Sequence, residues 1–249
     1  MTTLKSADGL NSLCGRVALV TGAGRGIGAG ISRTLAAAGA SVALVARTTE
    51  ELEAVASEII SSGGRAYAIS ADLAMAGSAS EVVTQTIEAL GRVDILVNNA
   101  ALPRFGPVLE FQEDDFRATV NVNLTAPFAL AKAVLPDMIS RREGWIVNIA
   151  SDLASRVRIG GAAYCSTKRA LLALSEVLQL EHRADGLRVS VVLPGITATT
   201  WDGLGPGHPS KAGHLHPSEI AEAVLWCCTR VSGTRVDAIV IHPSVQDSV

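Results

Sequence analysis

Seven short apolar runs rich in β-branched residues, at 17–20, 42–45, 66–69, 95–97, 145–149, 189–193 and 238–241, are separated along this chain by stretches long enough to hold a helix. Runs of that length between turn residues read as strands buried on both faces. The stretches between them carry helical spacing. Two open with capping-box patterns, Thr48 with Glu51 and Ser78 with Glu81, and Gly39 and Gly91 stand where helices should stop. Parallel strands need crossover connections, so the alternation predicts an α/β domain. The expected architecture is one doubly wound parallel sheet of about seven strands with helices on both faces, spanning 15–249 after an N-terminal tail at 1–14. Such sheets bind ligands at the carboxyl ends of their strands.

Composition agrees with packed helices over a buried sheet. Of 249 residues 48% are hydrophobic, mostly Ala, Val, Ile and Leu, and aromatics are only 4%. A formal charge of −3 offers nothing to a nucleic-acid backbone or an acidic membrane surface. No uninterrupted run approaches the roughly 18 apolar residues of a membrane span, and the first fifteen residues hold no sustained apolar run, so neither a span nor a signal peptide is expected. Cys14, Cys165, Cys227 and Cys228 lack both metal-ligand spacing and disulfide density; reduced thiols in a cytoplasmic protein are the expectation. His208, His214 and His216 fall in a Gly- and Pro-crowded stretch with no regular spacing, and no metal is expected there. That stretch, 199–217, reads as a loop over a binding site or as an ordinary surface connection.

The first run ends in Thr21-Gly22-Ala23-Gly24-Arg25-Gly26-Ile27-Gly28 and passes straight into a helical pattern. Glycines let backbone approach a pyrophosphate, and the N–H groups and dipole of the following helix favour the anion. Gly24, Gly26 and Ala29 fit a G-x-G-x-x-A frame, whereas Gly22, Gly26 and Gly28 fit G-x-x-x-G-x-G; spacing alone leaves both open. The second run ends at Ala46-Arg47, where an NAD-selective protein would present an acidic residue to the ribose. Arg47 and Arg25 could instead clamp a 2′-phosphate, which makes NADP(H) the preferred cofactor, with NAD(H) the alternative. Tyr164 and Lys168, four apart in a helical pattern, share a face, and an ammonium beside a phenol would lower its pKa toward a working acid–base range.

The glycine turn, Asn98-Asn99-Ala100, Ser151, Tyr164-x-x-x-Lys168 and Pro194-Gly195 stand in the order and spacing of the short-chain dehydrogenases/reductases, which the chain resembles over essentially its whole length. The resemblance implies a Rossmann-type fold and selects Gly22, Gly26 and Gly28 as the phosphate glycines, with Gly24, Arg25 and Ile27 beside them. It implies Tyr164 as general acid or base, Ser151 as partner of the substrate oxygen, Lys168 as the group that lowers the tyrosine pKa and holds the nicotinamide ribose, and Asn123 as holder of a relay water. It places Asp72 and Leu73 near the adenine, Asn98 beside the adenosine ribose, and Thr197 and Thr199 around the nicotinamide amide. Two departures stand out, Ala101 where the family usually has glycine and His242-Pro243-Ser244 in place of a glycine pair near the chain end. The implied activity is hydride transfer between NADP(H) and a small-molecule carbonyl or secondary alcohol, with a non-catalytic dinucleotide sensor as the alternative. The implied assembly is a homotetramer or dimer packed through helices around 127–139 and 164–181, whose apolar Ala129, Leu130, Ala133, Val134, Leu171, Leu172, Leu174 and Leu178 suit either an interface or the sheet.

Overall fold

The computed structural model describes residues 12–200, 203–231 and 233–246, so most of the expected tail lies outside the described residues. Strands β1 (Val17–Thr21), β2 (Ser41–Ala46), β3 (Arg65–Ser70), β4 (Ile95–Asn98), β5 (Gly144–Ile149), β6 (Leu187–Pro194) and β7 (Ala238–Ile241) form one sheet in the order β3-β2-β1-β4-β5-β6-β7. Every pairing is parallel. Helices α1 (Gly26–Ala37), α2 (Thr49–Ser61), α3 (Ser78–Leu90), α4 (Glu113–Val120), α5 (Ala126–Arg141), α6 (Ala162–His182) and α7 (Pro217–Cys228) cover both faces. Each of the seven expected runs lies within one observed strand.

Successive strand residues point to opposite faces, and the two core layers sort accordingly. Ala18, Val20, Leu44 and Val97 pack with Ile31, Leu35, Leu52 and Val224 of α1, α2 and α7. Leu19, Val45, Leu96 and Ile146 pack with Val82, Leu130, Val134 and Met138 of α3 and α5, and with Leu178 of α6. The expectation that all seven strands are buried on both faces fails at the edges. In β3 and β7 exposed and covered residues alternate, with Tyr67 and Val240 exposed, because an outermost strand has no neighbour on one side and less helix above it.

Neither expected capping box closes. Thr48 is the N-cap of α2, yet its side chain makes no capping hydrogen bond, and Glu51 turns instead toward Arg25. The N-cap of α3 is Gly77 rather than Ser78, and Glu81 accepts from Gln85 at 3.1 Å. The box that does form is His216–Glu219 at α7, with the His216 N–H on Glu219 Oε2 at 2.6 Å. Gly39 and Gly91 both take φ of +97° just past their helices, as helix stops should.

A π-helical turn, Asn121–Thr125, joins α4 to α5, and the combined 113–141 helix is apolar enough to meet a membrane-span criterion. Its Leu130, Val134 and Met138 are buried against the sheet while Glu113, Asp114, Asp115 and Arg117 crowd its start, the pattern of a core helix. Because β1 sits between β2 and β4, the chain leaves their carboxyl ends in opposite directions and a crevice opens there.

Candidate active site

Thr21 closes the floor of this crevice. Its hydroxyl accepts the N–H groups of Asn99 at 2.9 Å and Ala100 at 3.0 Å, while the Asn99 amide donates to the Thr21 carbonyl at 2.8 Å. The ends of β1 and β4 are thereby tied together. Gly22 and Gly26 adopt φ of +64° and +55°, and a Cβ on Gly28 would lie 2.1 Å from the Gly22 carbonyl oxygen. Ala29, the third position of the competing frame, carries its methyl into the core. The backbone therefore requires glycine at Gly22, Gly26 and Gly28. The turn opens on the first N–H groups of α1, whose N-cap Arg25 supplies no side-chain cap.

From the glycine turn a cavity of about 380 Å³ runs across the ends of β2 and β3, lined by Gly22, Gly24, Arg25, Gly26, Ile27, Arg47, Asp72 and Leu73. Arg47 is exposed and makes no ion pair among the described residues. Arg25 lies 3.6 Å from Glu51, a cavity-wall carboxylate that the sequence marked only as part of a capping box. A second cavity of about 340 Å³ holds Ser151, Tyr164, Lys168 and Thr197. The two share Ile27, Asn99, Ala101 and Thr199, so they are compartments of one crevice.

Asn98 is not among the lining residues. Its side chain is buried within the sheet, donating to Asn148 Oδ1 at 2.8 Å, and Asn148 in turn donates to Ser175 at 2.7 Å. The period of two along β4 turns Asn98 inward and leaves Asn99 to face the crevice.

In the second cavity, Ser151 follows β5 and caps the short 3₁₀ turn Asp152–Ala154, accepting from Leu153 N at 3.2 Å and donating to Asp152 Oδ1 at 3.1 Å. Tyr164 and Lys168 lie in the first two turns of α6, both buried. The Lys168 ammonium donates to the Ile149 carbonyl at 2.7 Å and stands 5.7 Å from the centre of the Tyr164 ring. Burial pushes the Tyr164 phenol well above its ordinary value, with the Asp152 charge adding to the rise and a hydrogen bond with Ser151 opposing it. Burial alone brings Lys168 down to about 7. Lys168 is not among the groups that shift the tyrosine, so the expected lowering does not appear and desolvation sets the direction. Asn123, in the π turn, is fully buried; its amide accepts from Leu102 N at 2.7 Å and donates to Leu102 O at 3.3 Å and Thr167 Oγ1 at 3.2 Å. These contacts pin the loop after β4 to α6.

The family model described as short chain dehydrogenase matches residues 16–203. The chain belongs to the short-chain dehydrogenase family. The oxidoreductase UcpA of Escherichia coli K12 is 38% identical over 191 residues, 76% of this chain and 72% of that one. Among solved structures, the alcohol dehydrogenase of Thermococcus sibiricus with 5-hydroxy-NADP superposes with a TM-score of 0.88 at 34% identity, covering 94% of this chain and 99% of the other. A metagenomic short-chain oxidoreductase with NADP gives 0.84 at 36%, covering 94% and 100%.

In this short-chain dehydrogenase the usual glycine after Asn-Asn-Ala is Ala101, which lines both cavities without needing a positive φ, so the change costs nothing in backbone strain. The unusual chain end folds back onto the site. Gln246 accepts from Ile196 N at 2.9 Å and donates to Asp152 Oδ2 at 2.6 Å, and a Cβ on Gly195 would lie 2.4 Å from the Gln246 Oε1. Arg156 pairs with the same carboxylate, and His242 lies 3.8 Å from it. The contact between Asp152 and Gln246 was not legible, since 94 positions separate them. The histidines of 199–217 are dispersed. His208 and His216 cap helical turns, while His214 and Lys211 line the second cavity. Of the residues suited to either an interface or the sheet, Leu130, Val134, Leu171 and Leu178 are buried within the single chain and Ala129, Ala133, Leu172 and Leu174 are half-buried; the large apolar side chains of α5 and α6 that face outward are Phe128, Val177 and Leu180, which that reading did not include.

Proposed function

We propose that this oxidoreductase transfers hydride between NADP(H) and a carbonyl/secondary alcohol pair. The observation that carries the reading is that Ser151, Tyr164 and Lys168 share one cavity that opens, past Ile27, Asn99, Ala101 and Thr199, into the cavity of the glycine turn. A dinucleotide fits that shape. The Gly22–Gly28 crossing leaves no room for a side chain, and the uncapped start of α1 faces the cavity, which suits a pyrophosphate. When bound, the nicotinamide supplies or accepts the hydride. Tyr164 would pass a proton to or from the substrate oxygen, Ser151 would hydrogen-bond that oxygen, and Lys168 would hold the ribose and tyrosine in place. Thr197 and Thr199 would border the nicotinamide, Asp72 and Leu73 the adenine, and 199–217 would form the substrate wall. Asn123 would act through the Leu102 and Thr167 contacts that hold the frame.

The NADP(H) preference rests on Arg47, which occupies the position after β2 in place of an acidic residue and is exposed with no ion pair among the described residues, and on the NADP ligands of the two structural relatives. In Arg47→Ala the NADP/NAD affinity ratio should fall about tenfold or more, since a charge-assisted hydrogen bond contributes roughly 1.5–3 kcal/mol; titration of both coenzymes checks this, and an unchanged ratio removes Arg47 from the clamp. Gly28→Ala should weaken NADPH binding by about ten- to a hundredfold, because overpacking against backbone costs roughly 1–3 kcal/mol; fluorescence titration of NADPH reads it. NADPH consumption against a panel of ketones tests the activity. Tight NADPH binding with no turnover on any carbonyl would favour the sensor reading instead. The outward Phe128, Val177 and Leu180 support a homo-oligomer, dimer or tetramer, through α5 and α6, and four free thiols fit a cytoplasmic setting.

A further inference from the structure

We propose that the substrate carries a carboxylate and that Arg158, at the mouth of the catalytic cavity, receives it. This rests on the hydride-transfer reading above and names the substrate class for the same site. One wall of the cavity is a ladder of three side chains. The Phe105 ring lies 5.2 Å from the Tyr164 ring, tilted by 45°, and the Arg158 guanidinium lies 4.9 Å from the Phe105 centre. The guanidinium is thus within about 10 Å of the tyrosine ring. Stacking on Phe105 restrains it, and the backbone beneath is held as well. Gly106 N donates to Gly160 O at 2.9 Å, and Gly161 N donates to Arg158 O at 3.0 Å. Arg158 itself is exposed and makes no ion pair among the described residues.

The charges around the cavity favour an anion. Among the described residues Asp152 is the one carboxylate in the wall, and it is already engaged: Oδ2 takes Arg156 and Gln246, and Oδ1 takes Ser151. Against it stand Lys168 at the reacting end, Lys211, whose ammonium donates to the Thr199 and Leu204 carbonyls, and Arg158. His214 adds a buried Nδ1 with no hydrogen-bond partner among the described residues. A low-dielectric cleft with that balance concentrates anions. Between the reacting end and Arg158 the wall is apolar, formed by Phe105, Leu153 and Ile196. A keto acid whose carbonyl and carboxylate are separated by a compact apolar body satisfies all three zones. Its carbonyl would meet Ser151 and Tyr164, its body would lie along Phe105, and its carboxylate would take the planar fork of Arg158.

The test compares a matched pair, 4-acetylbenzoate and its methyl ester, in NADPH-dependent reduction. The wild-type protein should favour the acid by about tenfold or more in kcat/KM, and Arg158→Gln should lower the acid-to-ester ratio by about ten- to a hundredfold, mainly through KM, with Arg158→Lys between the two. Calorimetric binding of 4-acetylbenzoate to the NADP-loaded protein gives a reading independent of turnover, and the same loss is expected there. Reduction of the ester and neutral ketones with no preference for the acid overturns the proposal while leaving the activity intact. An acid-to-ester ratio unchanged in Arg158→Gln, or binding of the acid equal in wild type and variant, also overturns it. Failure of the hydride-transfer reading shows differently, as no NADPH consumption with any carbonyl.

Discussion

Replacing Tyr164 by phenylalanine should lower kcat for carbonyl reduction by about 10²–10⁴-fold, the range supplied by a positioned proton donor, with the fold and NADPH affinity retained. The ring stays in place because Tyr164 is buried against Phe105, and only the hydroxyl is lost. The same geometry sets a pH dependence. Burial and the Asp152 charge hold the phenol pKa above its ordinary value, so the protonated form, which reduction requires, persists through the neutral range. Alcohol oxidation needs the phenolate, and its rate should climb as pH rises toward the elevated pKa. Lys168 acts in the opposite sense. Its folded pKa of about 7 means the ammonium that favours phenolate is lost as pH rises through neutrality. The reduction profile should therefore be nearly flat from pH 6 to 8 on the tyrosine's account, roughly two units or more below its titration, while oxidation rises. Rate profiles measured in both directions check this; oxidation falling steadily above neutrality would show that Lys168, rather than Tyr164, controls the step.

The second large effect lies at the other end of the sheet. Asp94, just before β4, is fully buried, accepting from Val17 N at 2.8 Å, from Arg92 at 2.9 Å and from Arg141 at 2.9 Å, with Arg16 at 3.5 Å. Asp94→Asn keeps the shape and removes the charge, leaving three guanidinium groups without their common partner. Breaking a buried pair costs roughly 3–5 kcal/mol, and because these arginines keep part of their hydration about 2–4 kcal/mol is expected here. Denaturant unfolding measures it, and kcat of the folded fraction should not change, since the site sits at the carboxyl ends of the strands. A loss below about 0.5 kcal/mol, the size of an ordinary surface substitution, would show that the cluster is no more than a solvated surface network. Acid should weaken the same cluster. The Arg16 hydrogen bond holds the Glu143 carboxyl below the usual carboxylate range, so its contribution is complete above the unfolded value and disappears as pH falls through the depressed one.

Much of this architecture can be read along the chain because a parallel strand covered on both faces must be an uninterrupted apolar run, and a crossover needs a helix's length of chain. That is why β1, β2, β4, β5 and β6 coincide with their runs. The edge strands β3 and β7 differ only in what covers them, which no local pattern encodes. The capping boxes failed for a related reason. Glu51 and Glu81 found partners that were not their own helix ends, and His216 capped α7 without the usual residue types.

By itself the sequence determined the sheet, since each strand follows from residue type at a fixed local spacing, and through the family resemblance it singled out the glycine frame and the set Ser151, Tyr164 and Lys168. The tertiary structure decided what surrounds those residues. Asn98 turns into the sheet and Asn99 into the crevice, burial rather than the lysine sets the direction of the tyrosine's proton affinity, and Gln246 reaches Asp152 beside Ser151. Those outcomes depend on desolvation and on contacts between segments far apart in the chain, and both quantities come into existence only when the chain is folded.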